Sequence, residues 1–157
     1  MSMGRSIGKV DHVVMMVWPQ NLEAATARVS ELLGVEFEFF DVPIQGIKGA
    51  LDTEAMLEFI APRMDGSGSS ESLERLLEKQ GEGIHSITFG VADAHATNER
   101  LQKQGFKTRG VFDAVNEDTP DFMRERFSTM LEIHMKERIN GSLFVLSQID
   151  RSEEDPQ

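Results

Sequence analysis

His12 and Glu58 are the two side chains of this sequence best suited to proton transfer or metal binding. His12 stands near the start of the apolar run Lys9–Val17, and Glu58 stands inside a second run, Met56–Ala61. An imidazole and a carboxylate on one sheet face can move a proton at a carbon next to a carbonyl. The same pair offers nitrogen and oxygen to zinc, cobalt, nickel or iron, although a stable catalytic site generally wants three protein ligands. The blander alternative is that the two side chains bond each other or a substrate. The other histidines carry weaker signals: His85 reads as satisfied at the start of a strand, His134 as structural at a strand end, and His95 as exposed with no role.

These residues sit in a repeat. Lys9-Val10-Asp11-His12-Val13-Val14-Met15-Met16-Val17 is echoed by Gly81-Glu82-Gly83-Ile84-His85-Ser86-Ile87-Thr88-Phe89-Gly90-Val91. Each run precedes an amphipathic helix and then a glycine, Gly34 or Gly105. A strand-helix-strand plan repeated at short range implies one fold built from two halves. Ser86 occupies the place of His12 in the second copy.

The elements that must position these residues follow from periodicity and punctuation. After the strand at 9–17, Asn21 is placed to cap a helix with Leu22, Ala25, Val29, Leu32 and Leu33 at helical spacing, closed by Gly34. Residues 35–42 alternate as a half-buried strand, Pro43–Gly46 form a turn, and strands follow at Ile47–Asp52 and Met56–Ala61. Asp65–Ser70 is linker-like, and Ser70 or Ser72 can cap a helix over Leu73–Lys79. The second half repeats the plan: strand 83–91, helix Ala94–Gln104 capped by Asp93, and strand 106–112. The acidic insertion Asp113–Asp121 and its continuation to Arg126 read as a solvated loop, or as a lid carrying an arginine for a carboxylate or phosphate. Strands Phe127–His134 and Ser142–Ile149 flank the Asn140-Gly141 hairpin signal.

The expected fold is therefore α+β, two βαβββ modules pairing into a cup-shaped mixed sheet. It forms one domain over residues 1–150, with module one at about 8–62, a linker helix at 70–80, module two at about 83–150, and a flexible tail at 151–157. Strand parity puts Val13, Met15 and Val17 under the first helix and His12, Val14 and Met16 on the other face. It likewise gathers Met56, Glu58 and Ile60 with Ser86, Thr88, Val145 and Ser147 as the lining of a ligand cup. Polarizable Met16 and Met56 suit a bulky apolar ligand, core packing being the alternative.

Composition narrows the partners. The chain has 157 residues, no cysteine and a net charge of −11. Disulfides and thiolate chemistry are excluded, and a nucleic-acid groove or an anionic membrane surface is not expected as partner. No apolar run of about 18 residues is present to span a bilayer, and residues 1–9 carry charge without a signal-type apolar stretch.

Val10-Asp11-His12-Val13-Val14, Val42-Pro43-Ile44-Gln45-Gly46-Ile47, Leu57-Glu58-Phe59-Ile60-Ala61-Pro62 and Gly81-Glu82-Gly83-Ile84-His85 together resemble the vicinal oxygen chelate superfamily. This is the glyoxalase, bleomycin-resistance and dioxygenase group, and the likeness is strongest to its methylmalonyl-CoA epimerases. Ile133-His134 and Gly141-Ser142-Leu143-Phe144 match the last hairpin of that family. The resemblance implies a divalent metal held by His12 and Glu58 from the first half and by two second-half positions, here Ser86 and Val145. The family's loop glutamate, implicated as a base, falls on Ile44. A degenerate site with weak or absent metal is the expectation. The resemblance implies an isomerase or lyase acting next to a carbonyl in a small molecule or acyl-CoA, with Glu58 and His12 as acid/base, in a cytoplasmic homodimer. The alternative is a metal-free small-molecule binding or resistance protein of the same fold.

Overall fold

In the computed structural model, which describes residues 7–153, the helices and strands end where local chemistry ends them. Module one runs β1 (Val10–Met16), α1 (Leu22–Leu33), β2 (Glu38–Val42), β3 (Ile47–Asp52) and β4 (Leu57–Pro62), followed by α2 (Ser70–Gln80). Module two runs β5 (Gly83–Gly90), α3 (Ala94–Lys103), β6 (Thr108–Asp113), α4 (Asp121–Arg126), β7 (Phe127–Met135) and β8 (Leu143–Arg151). The strand order is β2-β3-β4-β1 in the first and β5-β8-β7-β6 in the second. The last strand of each lies parallel to its first, and the other pairings are antiparallel. In each module the helix carries the chain from one edge strand to the other, and antiparallel strands bring it back.

Residues 12–85 form one compact unit, and, of the described residues, 7–11 with 86–153 form the other. The segment ahead of His12 thus belongs with module two: Gly8 N donates to Gly90 O (2.8 Å) and Gly90 N to Lys9 O (3.0 Å). Helix α2 belongs with module one.

In module one, α1 covers one sheet face through Val17, Leu22, Phe59 and Ala61, with Met15, Ala25, Val29 and Phe37 packed around them. Phe37 meets Phe59 edge-on at 5.5 Å. The opposite face carries Val14, Met16 and Ile60, clustered with Leu73 and Leu77 of α2. In module two, α3 packs Ala94 and Leu101 on Ile133 and Met135, flanked by Val111, Leu131, Phe144 and Leu146.

Several local features differ from expectation. Leu32 and Leu33 are exposed; the helical stripe instead buries Leu22 and Thr26, whose hydroxyl bonds back to Leu22 O. Asn21 precedes α1 but makes no cap bond; its amide donates to Glu82 Oε1, which also accepts from Trp18 N, both at 2.8 Å. Strand β2 begins at Glu38 rather than at residue 35. Helix α2 starts at Ser70, whose buried hydroxyl accepts from Met64 N and donates to Glu74. Helix α4 forms where a loop was expected. Arg151 still belongs to β8, and residues 154–157 of the expected tail lie outside the described range.

The stretch before α2 is no free linker. A Cβ on Gly46 would lie 2.0 Å from Ser67 O, and one on Gly68 would lie 2.3 Å from the Gln45 carbonyl carbon. The two loops therefore touch backbone to backbone, held by Ser69 N to Gln45 O at 2.9 Å and Arg63 N to Gly46 O at 3.0 Å. Only glycine permits such an approach, and both glycines also have positive φ.

Candidate functional site

Registered partners in neighbouring strands share a sheet face, which fixes the surroundings of His12 and Glu58. Val14 pairs with Glu58 and Met16 with Ile60 across β1 and β4, while Leu51 and Gly49 of β3 pair with Glu58 and Ile60. His12, two residues before Val14, lies on that same face by strand parity. The structure therefore brings His12 and Glu58 to one face of module one, as their spacing implies. His12 is only 5% exposed, Glu58 is half-buried, and each has further bonding or electrostatic partners.

Helix α2 takes up part of this face. Val14, Met16 and Ile60 are buried against Leu73 and Leu77. Gly49 contributes by omission: a Cβ there would sit 2.4 Å from the Phe40 ring, which joins the same cluster. Met56 falls outside β4, in the turn before it, with φ of 52°. That turn is organised by Asp52, whose carboxylate accepts from the backbone N–H groups of Glu36, Glu54 and Ala55.

Module two repeats the register. Thr88 pairs with Val145 across the parallel strands β5 and β8 as Val14 pairs with Glu58 across β1 and β4. Ser86 is thus the counterpart of His12, and Val145 the counterpart of Glu58. Ser86, Thr88, Val145 and Ser147 are all buried. Neither a hydroxyl nor an isopropyl group replaces an imidazole or a carboxylate as a metal ligand. Among the described residues, no group of three or more His, Cys, Asp or Glu side chains is placed to hold a metal ion. The donor set present does not fit the divalent site that the resemblance implies.

The next strand holds what the sequence reading missed. On β7, His134 pairs with Val145 and Glu132 with Ser147, so both share the face of Ser86 and Thr88. Between them Ile133 points the other way, fully buried under α3. His134 Nε2 meets Glu132 Oε2 at 3.0 Å. The signal was the alternation Glu132-Ile133-His134 itself: an apolar centre flanked by two ionisable groups at strand spacing.

The remaining expected residues stand apart from this pair. His85 lies on the opposite face of β5 from Ser86 by parity, and it has a bonding or electrostatic partner. His95 is exposed on α3. The insertion is tied down by Asp113, Asn116 and Thr119, the Thr119 hydroxyl donating to Ala114 O at 2.7 Å. Arg124 pairs with Asp121 within α4, and Arg126 lies over the Phe122 ring at 5.7 Å. Ile44, at the loop-glutamate position, is 65% exposed.

Residues 11–120 match the family described as Glyoxalase/Bleomycin resistance protein/Dioxygenase superfamily. No curated protein matches. Solved structures share the fold at low identity. A hypothetical protein from Bacillus halodurans is 19% identical, with a TM-score of 0.71 over 94% of this chain and 98% of its own. Methylmalonyl-CoA epimerase from Mycobacterium tuberculosis is 21% identical, with a TM-score of 0.68 over 94% and 92%. A Streptomyces coelicolor methylmalonyl-CoA epimerase variant in complex with 2-nitronate-propionyl-CoA is 22% identical, with a TM-score of 0.66 over 91% and 95%.

Proposed function

We propose that this chain, which belongs to the Glyoxalase/Bleomycin resistance protein/Dioxygenase superfamily, is an isomerase or lyase that moves a proton at a carbon next to a carbonyl. The observation that supports the reading is the placement of His12 and Glu58 on one face of module one, with His12 almost fully buried. Glu58 takes the proton from carbon, the C–H electron pair moves toward the carbonyl, and the enolate oxygen receives a hydrogen bond from His12 or a fixed backbone dipole. Return of the proton gives an isomer; expulsion of a neighbouring group gives the lyase outcome. Val14, Met16, Met56 and Ile60 supply the apolar surroundings. No step runs through a metal, because the donor set does not fit one. Acyl-CoA thioesters are the substrate class to try first, since fold relatives include methylmalonyl-CoA epimerases in complex with methylmalonyl-CoA or with 2-nitronate-propionyl-CoA. A cytoplasmic homodimer belongs to the same reading, and sedimentation of the purified chain tests its dimeric part.

The test is solvent deuterium exchange at the carbon next to the carbonyl, run over acyl-CoAs and small keto acids. Glu58→Gln keeps the shape but removes the base, so exchange should fall by about 100-fold or more while binding changes little. Exchange indifferent to Glu58 removes that residue from the mechanism.

The apolar Val145 and the hydroxyl of Ser86 at the two second-half ligand positions favour a second reading, a metal-free small-molecule binding protein. Under it no compound exchanges deuterium, while hydrophobic compounds raise the melting temperature.

A further inference from the structure

We infer that module two carries a proton-transfer site of its own, in which His134 is the base, Glu132 orients it and the Ser147 hydroxyl receives the carbonyl oxygen of a small carbonyl compound. The inference rests on the proton-transfer reading above and adds a base that neither the family match nor the resemblance assigns. Three observations carry it. His134 and Glu132 meet at 3.0 Å through Nε2 and Oε2. They lie in register with Val145 and Ser147, on the face opposite the one covered by α3. Ser147 Oγ is buried without a hydrogen-bond partner among the described residues, at 1% exposure of the residue.

An ionised carboxylate can only accept, so Glu132 fixes the Nε2–H tautomer of a neutral His134 and leaves the lone pair on Nδ1. The side chain of His134 is 35% exposed and that of Glu132 13% exposed, so the imidazole is the more accessible of the two and the carboxylate backs it. This is the division of labour of a histidine base held by an acidic residue. A buried hydroxyl with no partner is unfavourable, and an oxygen arriving from outside relieves it. Ser147 sits across from Glu132, one pleat from the imidazole, where it can donate to a carbonyl oxygen whose neighbouring C–H lies at Nδ1.

The step balances within these groups. The C–H bond breaks and its proton goes to His134 Nδ1. The electron pair forms the carbon–carbon double bond of the enolate, and the carbonyl π pair moves to oxygen, which the Ser147 O–H stabilises. Return of the proton from His134 restores the carbonyl compound, with no other reactant consumed. Ionisable chemistry absent at Val145 on β8 is thereby supplied one strand over, on β7.

The experiment follows solvent deuterium exchange into acyl-CoA thioesters and 2-keto acids by the parent, by Glu58→Gln, and by four further variants. These are His134→Asn, Glu132→Ala, Glu132→Gln and Ser147→Ala, each made on the Glu58→Gln background, where only the module-two site is left. Nitrogen-15 imidazole shifts are read on the same proteins. The parent should carry the His134 proton on Nε2. On the Glu58→Gln background His134→Asn should lose about 100-fold or more of the exchange that remains. Glu132→Gln, whose amide oxygen can still accept from Nε2–H, should retain more activity than Glu132→Ala, and only the latter should lose the Nε2–H preference. Ser147→Ala should slow exchange without changing the tautomer. No exchange in Glu58→Gln, or undiminished residual exchange in folded His134→Asn and Glu132→Ala on that background, overturns this inference and leaves the proposed function standing. No exchange by the parent with any compound overturns both.

Discussion

At the scale of single residues, the chemistry of the chain depends on which side of a strand each group faces. Ser86 and Val145 occupy the module-two counterparts of His12 and Glu58, so the chain offers a divalent ion two good donors from the ligand positions instead of the three a catalytic site usually needs. Protein purified without added metal should therefore retain well under one equivalent after dialysis. Tight one-to-one metal that survives a chelator, measured by elemental analysis, would contradict this. Asp52 illustrates a different dependence. Its buried carboxylate satisfies three backbone N–H groups in the loop ahead of β2 and in the turn that delivers β4 and Glu58. Asp52→Ala leaves those donors without that partner and should cost about 2 kcal/mol or more, read as a lower midpoint in urea denaturation.

At the scale of elements, caps and clamps decide where helices begin and how loops are held. Asp93 Oδ1 accepts from Ala96 N at 2.9 Å and starts α3. Asp93→Ala should cost about 1 kcal/mol, seen in thermal melts followed by circular dichroism. Ahead of α2, Asp65 holds the 63–70 loop, accepting from the Ser67 hydroxyl and backbone and from Arg63 Nε, while Arg63 also pairs with Asp41. These bonds, first that from the Ser67 hydroxyl and then that from Arg63, hold the Asp65 carboxyl well below the usual carboxylate range. A carboxylate depressed on folding contributes stability that is present above its unfolded value, about 3.9, and is lost as pH falls below it. The loop should therefore loosen below about pH 4, with faster amide exchange at Ser67 and Ser69. Equal protection at pH 3 and pH 6, after correction for intrinsic rates, would show that the clamp does not matter.

At the scale of the molecule, the two modules follow one plan with the same strand order and the same parallel closing register. That equivalence makes a gain-of-function test possible. Ser86→His with Val145→Glu gives module two the residue types that module one has at His12 and Glu58. The double variant should bind divalent metal more tightly than the parent by calorimetry. No gain in a folded protein would mean that the module registers are not functionally equivalent. Among the described residues no helix is long and apolar enough to cross a membrane.

What the sequence by itself determined is what short-range physics decides. Strand alternation gave the faces of β1 and β4, and so the shared face of His12 and Glu58. Gly34 in the left-handed conformation and Asn140-Gly141 with positive φ are choices made within a few residues, and both were legible. Packing decided the rest. Leu32 and Leu33 fit a helical stripe, but both stay exposed in the fold, while Leu22, Ala25 and Val29 of the same helix pack against the sheet. Asn21 has the chemistry of a cap, yet Glu82, more than 60 residues away in the chain, takes its amide. Val14, Met16 and Ile60 share a face by alternation, but that Leu73 and Leu77 of α2 pack on them came only from the tertiary structure. The Glu132–His134 contact spans only two residues, but its meaning depends on the pairing of β7 with β8, which sets Val145 and Ser147 beside it. Strand parity tells which residues share a face. Only the tertiary structure tells what covers that face, because burial is a property of the neighbour that arrives and not of the strand that waits for it.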